Sequence, residues 1–439
     1  MSKLHVILRT CMNSLLTPSD KSRVCGTNRE LMMRKCFASL VHTIKLSRLD
    51  VHLTVLDDHS DLRWREYVST TSEDISLSLI SMPVRGSNHS ALAQIQHAKQ
   101  SDGMVYVVED DYLHEPHAIT YMMAAYENLS NRYRQPVVIY PYDCSLRYQT
   151  GQESECMLYH DGVRYWRSVD KTALTLLTHA STFQNYWQPF ETLATRYPQV
   201  LEDDTINKLY KSAQNPYAPI RCFNPIPSVA YHVGYSEPTH INTTHACWQD
   251  LWNKIPDWCL VQGWFSHEEF YSQLVNKLPD PAVVVEIGAW RGSSTVCLAS
   301  LIKQSGKQIT FHSVDTWQGT LGEQVHDRIK QTMSMSLFDD FKANLAMCEV
   351  QDLVNAMQMT SVQASAQFED HSLDFVMIDG AHDLASVTQD IAVWKSKLKP
   401  GAIMAGDDYS ESWPEVVQAV TEAFGDQVQV YKYLWWVQL

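Results

Sequence analysis

Val283-Val-Val-Glu-Ile-Gly-Ala-Trp-Arg-Gly-Ser-Ser-Thr295 is the stretch that decides the fold of the second half of this chain. Three β-branched residues run into Glu286. A turn holds Gly288 and Gly292, and an apolar helical run follows with Val296, Cys297, Leu298 and Leu301. A buried strand that stops at a carboxylate, crosses glycines and opens a helix is a nucleotide-binding turn. Glycine lets backbone approach a ligand where a Cβ would clash. The helix start offers unpaired N–H groups to a carboxylate or phosphate. The spacing Glu-x-Gly-x-x-x-Gly-x-Ser departs from the dinucleotide pattern: a third glycine is missing and an acid precedes the turn.

Outward from this stretch, apolar strands keep ending in acids. Gln308–Val314 stops at Asp315, where a carboxylate can accept both ribose hydroxyls of a nucleoside. Asn355–Met359 reads as the next strand and leads into Thr360 and Ser361. Leu373–Ile378 ends in Asp379-Gly-Ala-His382, and Ala402–Ala405 ends in Gly406-Asp407-Asp408. Adjacent strands would bring Asp379, Asp407 and Asp408 to one sheet edge. Three carboxylates there repel one another unless a cation neutralises them, and an oxygen site with open positions suits Mg²⁺. A helix is expected over about 326–347, and long closing strands over 428–437.

These elements resemble motif I and the metal site of class I, metal-dependent O-methyltransferases, which use S-adenosylmethionine (SAM). The likeness covers residues 270–439 and is nearest the sugar O-methyltransferase branch. It implies a Rossmann-like α/β domain with Glu286, Gly288, Gly292, Ser294 and Asp315 around SAM. It places Asp379, Asp407 and Asp408 around Mg²⁺, and gives the proton to His382 or Asp379. Trp317 is expected as an adenine or substrate wall and Ser361 beside the adenine. Catechol-type relatives use a lysine as base, and His382 stands nearby instead.

In the first half, strands again alternate with helices, which indicates a parallel α/β sheet with ligands at its carboxyl edge. Val51–Leu56 ends in Asp57-Asp58-His-Ser60, and Met104–Val108 ends in Glu109-Asp110-Asp111. Hard cations take such carboxylates. Together with Gly86-Ser-Asn-His-Ser90, these segments resemble glycosyltransferases of the GT-A fold over residues 1–240. The resemblance implies a nucleotide-sugar donor contacted by Asp57 and Asp58, and Mn²⁺ or Mg²⁺ on Asp111. In Leu201-Glu-Asp-Asp204, opening a late helix, it implies a base at Asp203, with Asp204 behind it. In Ser228–Gly234 it implies His232 as a further metal ligand. Tyr142, Asp143, Tyr148, His160, Tyr165 and Trp166 give residues 141–200 the look of a sugar-stacking surface.

The chain has 439 residues, 45% hydrophobic and 19% charged, too long for one ordinary core. Expected domains are 1–245, a connector over 246–265 rich in tryptophan (Trp248, Trp252, Trp258, Trp264), and 266–439. Ser266-His-Glu-Glu269 has the pattern of a capping box opening the second. The net charge of −15 disfavours nucleic acid or an anionic membrane as partner. Ten scattered cysteines without C-x-x-C spacing, no signal-like run and no apolar stretch of membrane length lead to the expectation of a cytoplasmic protein. The sequence thus reads as a bifunctional enzyme, a glycosyltransferase fused to a SAM O-methyltransferase acting on a sugar hydroxyl. A second reading makes residues 1–245 a non-catalytic glycan-binding module. A third gives the metal-binding second fold hydroxylase-type chemistry. A nucleic-acid methyltransferase is disfavoured by the charge and by the lack of an Asn/Asp-Pro-Pro-Tyr motif.

Overall fold

The computed structural model describes residues 3–12, 28–144, 156–212, 215–233, 246–320 and 324–439. Tyr148, Gly234, residues 235–245 of the expected junction and the Trp248 side chain lie outside them. The chain divides into two compact units, Met1–Ile255 and Pro256–Leu439. Among the described residues, no helix is long and apolar enough to cross a membrane.

The first unit alternates strands and helices at its start: β1 (Leu4–Thr10), α1 (Arg29–Ser47), β2 (Val51–Asp57), α2 (Leu62–Thr71), β3 (Ser76–Ser81), α3 (Ser87–Gln100) and β4 (Met104–Glu109). These four strands are parallel in the order β3-β2-β1-β4. Val105–Val108 of β4 are fully buried, the continuous apolar run that a strand covered on both faces needs. Then come β5 (Tyr112–His114), α4 (Ala118–Tyr133), β6 (Val138–Ile139), β7 (Leu158–His160), β8 (Tyr165–Val169), β9 (Leu176–His179), α5 (Ser181–Asn185), α6 (Trp187–Arg196), β10 (Cys222–Ile226), β11 (Ala230–His232) and α7 (Ala246–Asn253). The sheet continues from β4 through β9-β6-β10-β8-β7, with β9 antiparallel to β4, so this unit is mixed. Strand β11 pairs antiparallel with β5. Leu201–Asp204 does not open an α-helix: two short 3₁₀ turns, Glu202–Asp204 and Ile206–Leu209, stand there, broken at Thr205 by non-helical backbone.

The second unit runs α8 (Glu268–Lys277), β12 (Ala282–Ile287), α9 (Ser293–Ser305), β13 (Ile309–Asp315), α10 (Gln324–Thr332), α11 (Leu337–Met347), β14 (Val354–Gln358), α12 (Ser361–Ser365), β15 (Leu373–Ile378), α13 (Leu384–Lys395), β16 (Leu398–Gly406), α14 (Pro414–Phe424), β17 (Gln429–Tyr431) and β18 (Leu434–Gln438). Sheet order is β14-β13-β12-β15-β16-β18-β17, with β14 to β16 parallel and the last two antiparallel. Central β15 is buried along its length. The helix expected over 326–347 is two helices, because Ser336 starts a new one by accepting the Asp339 N–H. The capping box expected at Ser266–Glu269 does not form; His267 takes the N-cap position with no side-chain cap bond, while Glu268 and Glu269 occupy the first turn.

Candidate functional site

The turn after β12 brings its own carboxylate under control. Glu286 is 1% exposed. Ser294 Oγ donates to its Oε1 at 2.6 Å, and Thr295 and Ser313 donate to its Oε2 at 2.5 and 2.9 Å. Burial pushes its pKa up against these three bonds. Glu286 therefore braces the start of α9 from beneath and does not line the cleft above it, whereas Ser294 does. Gly288 sits at φ +88°, and a Cβ there would lie 1.7 Å from the Asp379 carbonyl oxygen. This glycine lets the ends of β12 and β15 approach each other. Gly292, at φ +95°, is the N-cap of α9, where a Cβ would press on the Phe341 ring at 3.0 Å.

Asp315 ends β13 and lines the cleft. Its Oδ2 accepts the Ala289 and Trp290 N–H groups, both at 2.9 Å, and its Oδ1 accepts that of Trp317 at 2.7 Å. Burial still raises its pKa above the usual carboxylate value. About four acceptor positions on a carboxylate leave it room for a ligand hydroxyl.

The cleft has a volume of about 940 Å³, enough for a cofactor and an acceptor together. At one end Asp379, His382 and Asp408 each point an oxygen or nitrogen to a common place, all within 4.8 Å of one another. His382 Nε2 lies 2.8 Å from Asp408 Oδ2, and its ring stacks on Trp413 at 4.1 Å. Burial first, then Asp407 and Asp408, push the Asp379 pKa far up. Asp407 lines the cleft but faces elsewhere: its Oδ1 accepts the Asp408 N–H, and its Oδ2 lies 3.5 Å from His267 Nδ1. Burial pushes Asp407 up to about 6 and His267 down to about 4.

Sequence reasoning missed the aromatic wall. Trp290, at φ +48° in the glycine turn, stacks on His326 at 4.2 Å, and Trp264 leans over both. Trp317 is no wall. It is 5% exposed, packs between Phe338 and Phe341, and donates its indole N–H to the Trp290 carbonyl. Ser361 does line the cleft.

In the first unit, both acidic strand ends flank the end of β1. The Asp58 N–H donates to Thr10 O, and Asp110 accepts the Cys11 N–H at 2.8 Å. Asp57 and Asp58 are both 1% exposed and engaged in loop closure. Asp57 accepts the Ser60 N–H, and both Asp58 oxygens accept the Gly86 N–H. Arg9 pairs with Glu109, and Arg29 with Asp110 at 2.8 Å. Asp111 and His232, far apart in sequence, meet at 3.1 Å. Burial raises the Asp111 carboxyl, but His232, Arg29 and Arg9 together hold its pKa below the usual carboxylate value. Among the described residues, the other carboxylate oxygen, Oδ1, is buried with no hydrogen-bond partner. Asp203 is placed differently: its side chain is 60% exposed, 3.1 Å from Lys171 and 2.9 Å from Asn207, which lowers its pKa.

A family model described as "Methyltransferase domain" matches residues 285–409. The second unit thus carries a methyltransferase domain of Rossmann-like fold. Over 154 residues the chain is 27% identical to the uncharacterized protein y4gI of Sinorhizobium fredii; the match covers 33% of this chain and only 15% of that relative. Among solved structures it is similar to the O-methyltransferase NovP, at 20% identity and TM-score 0.32, over 39% of this chain and 78% of that one. It is also similar to a SAM-dependent O-methyltransferase of Thermotoga maritima, at 12% identity and TM-score 0.29, over 39% of this chain and 56% of that one. Both structural likenesses are too distant to bear on the chemistry.

Proposed function

We propose that the second unit moves a methyl group from SAM to a sugar hydroxyl with the help of a divalent cation, and that the first unit transfers a sugar from a nucleotide donor. The observation that carries the first part is the convergence of Asp379, His382 and Asp408 at the carboxyl edge of a methyltransferase domain, in the cleft that Asp315 also lines.

The residues fit a Mg²⁺-type cation. Two carboxylates and an imidazole present donors within one coordination sphere, and the crowding that raises Asp379 is the repulsion a cation would relieve. Asp379 and Asp408 would hold it. When bound, such an ion lowers the pKa of a nearby acceptor hydroxyl. With Asp379 on the cation, His382, which lines the same cleft, has the stronger case as proton acceptor. His382 is held in place by Asp408 and Trp413. Trp290, His326 and Trp264 offer the acceptor an apolar platform.

For the first unit, support comes from the Asp111–His232 pair and the orphaned Asp111 oxygen, which suit Mn²⁺ or Mg²⁺ on a nucleotide diphosphate. Asp203, exposed against Lys171, is a poor base, and none is assigned. Calorimetry tests both parts: SAM, then UDP, GDP and their sugars, each with and without Mg²⁺ or Mn²⁺. Binding of SAM and of one nucleotide, the latter only with metal, is expected. SAM alone would leave the first unit as a glycan-binding module, and failure of SAM would overturn the reading of the second.

A further inference from the structure

His267 is a buried group that the proposed methyl transfer does not use. It is 1% exposed and holds the N-cap position of α8 without making a cap bond. Phe265 and Tyr271 pack against its ring in T-shaped contacts, with centroids at 4.5 and 5.2 Å, and so fix the plane of the imidazole. Among the described residues, neither ring nitrogen has a hydrogen-bond partner. A buried polar atom left in that state is costly and calls for an explanation. Nδ1 lies 3.5 Å from Asp407 Oδ2, just beyond the length of a hydrogen bond.

Asp407 connects this imidazole to the proposed cation place. Its neighbour Asp408 sits at φ +63°, in left-handed backbone that an aspartate adopts only at a cost. The Asp407 carboxylate holds that turn, since its Oδ1 accepts the Asp408 N–H at 2.9 Å. The Asp407 N–H donates to the Ile378 carbonyl at the end of β15. So held, Asp408 points at the place it shares with Asp379 and His382. One bond on Oδ1 leaves the Asp407 carboxylate able to swivel, and a second on Oδ2 would fix it. Resting on the cation reading above, we propose that His267 is a positioning residue of the cation site: its Nδ1–H donates to Asp407 Oδ2, and the fixed carboxylate holds the left-handed turn that aims Asp408. A small rotation of the Asp407 side chain closes the gap. Groups that hold a ligand in place commonly govern a metal's affinity without touching the ion.

The test is Mn²⁺ calorimetry on the full chain carrying Asp111→Asn, which silences the proposed site of the first unit. In that background, His267→Phe keeps a ring and removes both nitrogens. It should weaken Mn²⁺ binding by about tenfold or more. His267→Asn, whose amide N–H stands close to the place of Nδ1–H, should bind Mn²⁺ within about threefold of the protein with His267. S-adenosylhomocysteine, titrated without metal, should bind both variants within about twofold of that protein. If His267→Phe does not fold, as judged by circular dichroism, His267→Gln serves: its amide reaches the place of Nε2 and leaves Oδ2 unbonded, so the same loss of about tenfold is expected. A merely structural His267 would weaken S-adenosylhomocysteine along with Mn²⁺ and would not be rescued by Asn. That pattern, or an unchanged Mn²⁺ affinity in His267→Phe, overturns the proposal and leaves the cation reading standing. Failure of the protein with His267 to bind Mn²⁺ overturns the cation reading itself, and this proposal with it.

Discussion

Gly288 shows how closely the two ends of the site are built. At φ +88° with the Asp379 carbonyl where its Cβ would be, it tolerates no side chain. Gly288→Ala should lower stability by about 2 kcal/mol or more, from backbone strain and forced separation of two strands, and should weaken SAM binding in parallel. Urea denaturation and calorimetry check the pair. The neighbouring Asp407 and His267 make a prediction about pH in metal-free protein. Asp407 rises from 3.8 unfolded to about 6 folded, so the native state holds its proton more tightly and stability falls as pH rises from about 4 to 6. His267 falls from 6.5 to about 4, so the native state resists its proton and stability falls as pH drops through the same range. The two trends oppose. His267→Gln should therefore tilt the stability difference between pH 4.5 and 6.5 in favour of acid, by up to roughly 3 kcal/mol relative to wild type. Asp407→Asn should tilt it the other way. Denaturation midpoints at the two pH values decide it, and tilts of the same sign would refute the pairing.

At the scale of elements, two tryptophans, Trp290 and Trp317, exchange the roles that sequence reading gives them. Trp317 was the expected wall, yet it is packed between Phe338 and Phe341. Trp317→Ala should cost about 3–5 kcal/mol of stability. Trp290, on the cleft side, should give the reverse when changed to Ala: little loss of stability and at least severalfold weaker acceptor binding. Thermal unfolding and acceptor KM separate the two. What the sequence made legible was the strand-to-acid pattern, because buried parallel strands are continuous apolar runs and their carboxyl ends are where polar residues resume. Asp315, Asp379 and Asp408 were readable on that ground. The aromatic wall was not, since Trp290 and Trp264 sit in non-periodic backbone and nothing in spacing tells a wall from a packing residue. Nor was the break at Ser336, where one serine cap divides a continuous helical pattern. Asp203 misled, because an acid after Leu201 has the same look whether it enters a site or meets Lys171 at the surface.

At the scale of the molecule, the −15 charge is gathered partly into two acidic sheet edges, one in each compact unit. The division after Ile255 falls within the stretch that sequence reading treats as a connector. On the proposed reading, each edge takes its own cation and its own nucleotide, and joining them on one chain raises the local concentration of one unit's product at the other. Independence of the two binding events is the testable core of that idea. Asp111→Asn removes one carboxylate oxygen from the His232 pair and leaves the second unit untouched in sequence. It should abolish metal-dependent nucleotide binding, a loss of about a hundredfold or more in affinity when a coordinating carboxylate is replaced. S-adenosylhomocysteine affinity should stay within about twofold, as expected for uncoupled sites. Asp408→Asn should do the converse, sparing the nucleotide and weakening the cation-dependent part of methyl transfer. Calorimetry with each ligand on each variant gives four numbers. A variant in one unit that weakens the other unit's ligand tenfold would mean that the two sites are energetically coupled and that the chain works as one enzyme.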